Sequence, residues 1–252
     1  MTKLLRQQGS IHATQQILLS ARARTMPRDI ETLARVPLFS SLDKTAIKGI
    51  DMRCTWRRVA TKEWVIDYQD EGIDVFFVVS GSVRVLIYAK SGREVILADL
   101  SAGGFFGELA AIDGKPRSAG VLAVTDAVVA AMPGKVFMET LSEHPSVAMQ
   151  VLKLMAARVR ALDNRVLEYS TLNVKQRVYS ELLRLARPDT KDERQGILSP
   201  PPIHAEIAAR VSTHREAVAR EMKLLERQGL LLRRRGALVL TDVPGLMEKL
   251  EK

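Results

Sequence analysis

A single cysteine, Cys54, stands in the 252-residue sequence. A disulfide within the chain and a four-cysteine iron–sulfur cluster are both excluded, and an oxygen-sensing cluster goes with them. No stretch reaches the roughly 18 consecutive apolar residues of a membrane-spanning helix. The N-terminus lacks the charged, apolar and small-residue layout of a secretory signal, so a cytoplasmic protein without a membrane partner is expected. The four histidines are scattered. With no nucleophile–base pairing and no metal-ligand spacing, neither an enzyme nor a metal site is expected.

Positive charge is what the chain has in excess. A net charge of +9 and a pI near 9.8 imply a polyanionic partner, although charge alone does not separate DNA from RNA or an anionic membrane. A hydrophobic content of 46% over this length suits two modest cores rather than one. Residues 1–30 form a basic, Gln-rich lead, expected as an arm, with apolar positions at Leu4, Leu5, Ile11, Ile17, Leu18 and Leu19. Residues 31–145 read as one domain, with a turn at Val36–Asp43, a short helix at about 43–50 and a β pattern from about 55 to 131. Short β-branched runs such as Val75–Val79, Val83–Tyr88, Glu94–Ala98 and Val121–Val124 are divided by Gly or Ser turns, which predicts an antiparallel sandwich or barrel.

Residues 146–172 read as one long helix. Ala148, Leu152, Met155, Val159, Leu162, Val166 and Tyr169 recur at alternating steps of four and three, the spacing of a coiled-coil seam and hence of a homodimer. Residues 173–252 form a further domain. Asn173 is placed to cap a helix from Val174, a polar Pro-rich link runs from Arg187 to Pro202, and Ile203–Val211 and Arg215–Gln228 read as two helices around the turn Ser212-Thr213-His214. Gly229 closes the second helix.

The chemistry concentrates in Gly107-Glu108-Leu109-Ala110 and, after a short spacer, Arg117-Ser118. Gly107 permits backbone angles that let successive amides converge on an anion. Arg117 supplies a planar donor fork for phosphate, and Ser118 a hydroxyl beside it. Glu108 repels phosphate and suits a ribose hydroxyl. Taken singly, such pairs are ordinary surface turns; here they fall together between two apolar runs.

The segment GELAAIDGKPRSA resembles the phosphate cassette of cyclic-nucleotide-binding domains, shared by the catabolite activator (CRP/FNR) family and the cyclic-nucleotide-dependent kinases. Its glutamate-to-arginine spacing is closer to the kinase version. Glu206–Arg220 is similar to the DNA-reading unit of the same CRP/FNR family. The resemblance covers about residues 33–240 and implies an α+β chain: an N-terminal jelly-roll β-barrel, a long dimerisation helix and a C-terminal winged helix-turn-helix. It also implies a homodimeric, ligand-switched transcription regulator with double-stranded DNA and RNA polymerase as partners. Glu108 would hold a ribose, Arg117 and Ser118 a cyclic phosphate, and the Gly107–Ala110 backbone, through Leu109, would complete the cradle. Arg215 and Arg220 would each read a guanine and Glu216 a cytosine of a TGTGA-like half-site, with Thr213 and His214 near a phosphate. The family commonly has serine where His214 stands. Arg233–Leu240 would form a wing.

One departure bears on the ligand. Where cAMP-binding bacterial relatives carry a Thr-Ser pair that touches adenine, this chain has Leu162 and Asp163. A carboxylate accepts hydrogen bonds and matches the N1–H and amino group of guanine, so cGMP is favoured over cAMP, with Ser118 a second guanine contact. Pairing of Asp163 with Arg160 or Arg165 is the plainer alternative. The sequence also leaves open a regulator of this build that takes another small ligand or none. The hinge between helix and DNA-reading domain is expected at Leu172-Asn173-Val174.

Overall fold

The computed structural model describes residues 32–250 other than Lys90, so the arm expected for residues 1–30 lies outside the described residues. The chain divides into two compact units. One holds the described residues up to Leu86 together with Ala98–Leu152; the other holds Ile87–Leu97 and the chain from Lys153 onward.

The first unit begins with two 3-10 turns, Leu33–Arg35 and Pro37–Phe39, and helix α1 (Lys44–Asp51). Asp43 starts α1 by accepting a hydrogen bond from the Ala46 amide at 2.8 Å, which satisfies one of the first-turn donors. Eight strands follow: β1 (Thr55–Val59), β2 (Trp64–Ile66), β3 (Val75–Ser80), β4 (Ser82–Tyr88), β5 (Glu94–Ser101), β6 (Phe105–Phe106), β7 (Gly120–Ala123) and β8 (Ala127–Met132). They form two four-stranded sheets, ordered β1-β8-β3-β6 and β2-β7-β4-β5. Among the described residues no strand pair joins one sheet to the other, so the expected barrel is realised as a double-sheet jelly roll rather than a closed cylinder.

The two sheets share a core that includes Val59, Val65, Ile66, Phe76, Val78, Val83, Val121 and Val129. Strand β3 runs antiparallel to β8 with Phe77 opposite Ala130, and both strands are buried almost throughout. On the other side of β3, Phe77 gathers Phe39, Phe105 and Phe137, with ring centroids 5.1, 6.0 and 6.5 Å away. Helix α2 (Glu108–Asp113) lies between β6 and β7, and α3 (Gly134–Glu143) follows β8.

Helix α4 (Pro145–Thr171) is the long helix. Beyond it, α5 (Val174–Leu185) opens with a reciprocal capping box: Asn173 accepts from the Gln176 amide and Gln176 accepts from the Asn173 amide, both at 3.0 Å. The segment read as a Pro-rich link contains two short strands, β9 (Arg187–Pro188) and β10 (Gly196–Leu198). They extend the hairpin of β11 (Leu231–Arg234) and β12 (Ala237–Leu240) into a four-stranded sheet ordered β11-β12-β10-β9. Strands this short carry no readable period, and the strand that anchors them, β12, lies some forty residues beyond β10. Helices α6 (His204–Val211), α7 (Arg215–Arg227) and α8 (Val243–Glu248) complete the unit. Its core joins Val178, Tyr179 and Leu182 of α5 to Ile207 and Val211 of α6, and Val218, Met222 and Leu225 of α7.

Replacing Phe77 with alanine empties the centre of the aromatic cluster. The expected loss is about 3–5 kcal/mol, read as a lowered midpoint in urea unfolding followed by circular dichroism. A loss below about 1 kcal/mol would contradict this packing.

Candidate ligand cradle and nucleic-acid interface

Strand β6 delivers the chain to Gly107, whose backbone is left-handed at φ 84° and ψ 0°. That conformation favours glycine, and space demands it too. A Cβ there would lie 2.7 Å from Arg117 Nη1 and 2.8 Å from the Asp74 carbonyl oxygen. Helix α2 starts at once, so the amides that follow Gly107 have no acceptor within the helix. Glu108 is 4% exposed and Ala110 3%, whereas Leu109 is exposed. Gly114, again left-handed, ends the helix by donating to the Ala110 carbonyl at 3.1 Å.

The return brings Arg117 back beside Gly107. Its amide donates to the Asp70 carbonyl at 2.8 Å and its own carbonyl accepts from the Gln69 amide at 3.1 Å. The guanidinium is held from two sides: Nη1 donates to the Gly107 carbonyl and Nη2 to the Asp74 carbonyl, each at 2.8 Å. The Phe76 ring lies 5.7 Å from its central carbon. Burial pulls the Arg117 pKa below the usual arginine value, and the Asp70, Asp74 and Glu108 carboxylates pull the other way.

Arg117 is 3% exposed, yet its Nε is buried with no hydrogen-bond partner among the described residues. A buried N–H on a fixed cation is costly unless an acceptor arrives. The residues present therefore fit an anionic ligand. Because carboxylates stand nearby, such an anion is held by directed donors rather than by a general positive field. Ser118 is exposed next to Arg117. The loop of Gln69, Asp70 and Asp74 is the part sequence reasoning missed. Its only signal was acidic residues directly before the apolar run of β3.

In the second unit, α6 ends at Ser212, left-handed at φ 52°. The Thr213 amide donates to the Ala208 carbonyl at 3.1 Å, closing the turn. Arg215, Glu216 and Arg220 are exposed on α7, while Val218, Met222 and Leu225 face the core. His214 is exposed as well, but Thr213 is 8% exposed. Of the two turn residues only His214 offers its side chain outward. Arg233 of the wing is tied to Glu226 at 2.6 Å, and Arg234 and Arg235 are exposed at the hairpin end.

Several positions of the stripe on α4 are exposed among the described residues. Leu152, Val159, Leu162 and Val166 are each more than half exposed among the described residues. Asp163 is exposed. Arg165 turns to Glu181 and to the Arg210 carbonyl. Among the described residues no cluster of His, Cys, Asp or Glu is arranged to hold a metal ion, and no helix is long and apolar enough to cross a membrane. Cys54 is half-buried and its thiol is pushed up to about 12 by that burial first and by Asp51 second, so it is a poor nucleophile at neutral pH.

Residues 56–144 match the cyclic nucleotide-binding domain family, and residues 176–249 match the Crp-like helix-turn-helix domain family. The cAMP-activated global transcriptional regulator CRP of Salmonella typhimurium is 33% identical over 180 residues, covering 71% of this chain and 85% of that protein. The cAMP-activated global transcriptional regulator Vfr of Pseudomonas aeruginosa is 32% identical over 204 residues, covering 79% and 92%. Among solved structures, a CooA variant from Carboxydothermus hydrogenoformans superposes with a TM-score of 0.72 at 22% identity, covering 90% of this chain and 97% of that one. The c-di-GMP responsive regulator CLP of Xanthomonas campestris gives 0.67 at 22% identity, covering 79% and 99%. These two likenesses establish the fold. The cradle, the helix-turn-helix and the two family matches converge: the chain belongs to the CRP/FNR family of transcription regulators, which are not enzymes.

Proposed function

We propose that this protein is a cytoplasmic homodimer that binds inverted TGTGA-like DNA sites when a cyclic purine nucleotide occupies the Arg117 cradle, with cGMP preferred over cAMP. The observation that carries the ligand class is the buried Arg117 guanidinium, fixed by two carbonyls and left with an Nε that has no partner among the described residues. Bound nucleotide would supply the phosphate acceptor that this N–H lacks. Gly107 and the amides after it admit the phosphate closely, Glu108 accepts from a sugar hydroxyl, and Ser118 adds a donor at the rim. In the family pattern the long helix reads the base, and Asp163 stands there as an exposed acceptor. That favours guanine, even though the curated relatives above are named for cAMP.

The exposed positions of the α4 stripe support pairing with a second copy, since a contiguous exposed apolar surface marks an interaction site. Two-fold symmetry then sets the two α7 helices about one DNA turn, roughly 34 Å, apart. Ligand shifts the dimer toward that spacing only by binding the spaced state more tightly than the other. Within each half-site Arg215 and Arg220 donate to guanine edges and Glu216 accepts from cytosine. Arg234 and Arg235 neutralise phosphates, His214 sits near one, and RNA polymerase is the further partner.

Titration calorimetry with cGMP and cAMP tests the cradle. Arg117→Gln removes the cation and should abolish heat of binding for both, while a retained melting transition shows that the fold survives. Asp163→Ala should narrow the gap between the two nucleotides by about 1–2 kcal/mol. A parent protein that binds neither nucleotide, or an Arg117→Gln protein that binds both unchanged, would overturn the cradle. A parent that prefers cAMP would overturn the assignment of Asp163.

Gel-shift titrations on a symmetric duplex test the reading residues. Arg220→Ala should cost about 1–3 kcal/mol and relax the preference at a single guanine. Arg235→Ala should weaken all sequences alike and reduce the salt slope by about one. Loss of affinity without any change in base preference in the Arg220 variant would contradict the assignment.

A further inference from the structure

The link at 172–174 looks free to bend in the sequence, but a buried ion cluster lies across it. Glu181 of α5 has a side chain 1% exposed and meets three guanidiniums: Arg165 of α4 at 3.4 Å, Arg210 of α6 at 3.8 Å, and Arg184 of α5. Arg184 also pairs with Glu168 of α4, which accepts a further hydrogen bond from Ser180 at 2.9 Å. Two more donors from α4 converge on one atom. Arg165 Nη1 and the Tyr169 hydroxyl both donate to the Arg210 carbonyl, at 2.6 and 2.7 Å. The Arg177 guanidinium of α5 lies 5.3 Å from the Tyr169 ring centroid.

That carbonyl belongs to the last turn of α6, where carbonyls have no partner within the helix. Arg165 also brings its positive charge to the negative end of α6. The next residues are the turn 212–214 and then Arg215, the first residue of α7. Packing three helices together does not call for buried charge; apolar side chains do that with less desolvation. Charge-assisted hydrogen bonds, by contrast, fix direction as well as distance.

We propose that Arg165 and Tyr169 are positioning residues for DNA reading. They clamp the end of α6 to the long helix, so that the angle at which α7 leaves α4 is set by this cluster and not by the 172–174 link. The inference rests on the dimeric reading above, because only in a dimer does that angle determine the separation of two reading helices. Opening of the cluster releases α7 from the long helix, and closure commits it to one separation.

Full-length protein is assayed with saturating cyclic nucleotide on duplexes carrying either one half-site or an inverted pair whose spacing is stepped by single base pairs. The parent should favour one spacing. In Tyr169→Phe and in the double variant Arg165→Gln with Tyr169→Phe, affinity for the single half-site should be unchanged, while preference for the best spacing falls, by about tenfold in the double variant. Arg165→Lys, which keeps charge and a donor, should recover part of the preference. Unchanged spacing preference in the double variant overturns the inference alone. Equal loss on single and paired sites, with a lowered melting temperature, also overturns it, since that marks a merely structural role. A parent indifferent to spacing sinks the dimeric reading and this inference with it.

Discussion

One buried guanidinium organises the N-terminal unit of this protein. A buried Arg117 would be costly without partners, and the chain arranges two carbonyls from distant segments, Gly107 and Asp74, to hold it. That arrangement forces the left-handed glycine after β6, since any side chain at 107 would collide with the guanidinium and the Asp74 carbonyl. It also ties down the loop before β3 through the backbone bonds of Arg117 to Gln69 and Asp70. The donor left over, Nε, is what gives the cradle a reason to exist. A folded protein rarely buries such a group without something to accept from it.

The second unit solves a different problem with similar means. A helix-turn-helix core is small, and its apolar centre of Tyr179, Leu182, Ile207 and Met222 fixes the three helices against one another but says little about their direction relative to the long helix. Direction comes from charge. Glu181 and the Arg210 carbonyl receive donors from α4, so the long helix is bonded to the element that precedes the recognition helix. A cradle that gains from an anion and a reading head whose angle is fixed by a polar cluster are the two parts a ligand-governed regulator requires.

The sequence showed the parts whose chemistry demands particular residue types in a row. That Gly107 and Arg117 belong together was legible as a glycine turn and a guanidinium at close range, and the fold brings Arg117 onto the Gly107 carbonyl. The helix boundaries of the C-terminal domain were legible where punctuating residues stand: Asn173 closes the capping box that opens α5, and Gly229 adopts the expected left-handed angle after α7. What stayed hidden depends on pairing across long separations. Strands β9 and β10 looked like a proline-rich link, since two or three residues have no period and their stability comes from β12. The separation of the jelly roll into two sheets, the role of the Asp74 carbonyl and the burial of Thr213 are likewise tertiary facts. Arg165 entered the sequence reading only as a candidate partner of Asp163, and nothing local told that Glu181, sixteen residues on, would accept from it.

The central claim is that ligand in the cradle and DNA on α7 speak to each other. The most direct measurement is the affinity of cyclic nucleotide for the protein alone and for the same protein bound to a symmetric two-half-site duplex. Reciprocity of binding requires the nucleotide to bind the DNA complex more tightly, by about 5- to 150-fold, and the DNA to bind the liganded protein more tightly by the same factor. Identical nucleotide affinity in the two states would contradict the account, however well each ligand binds by itself.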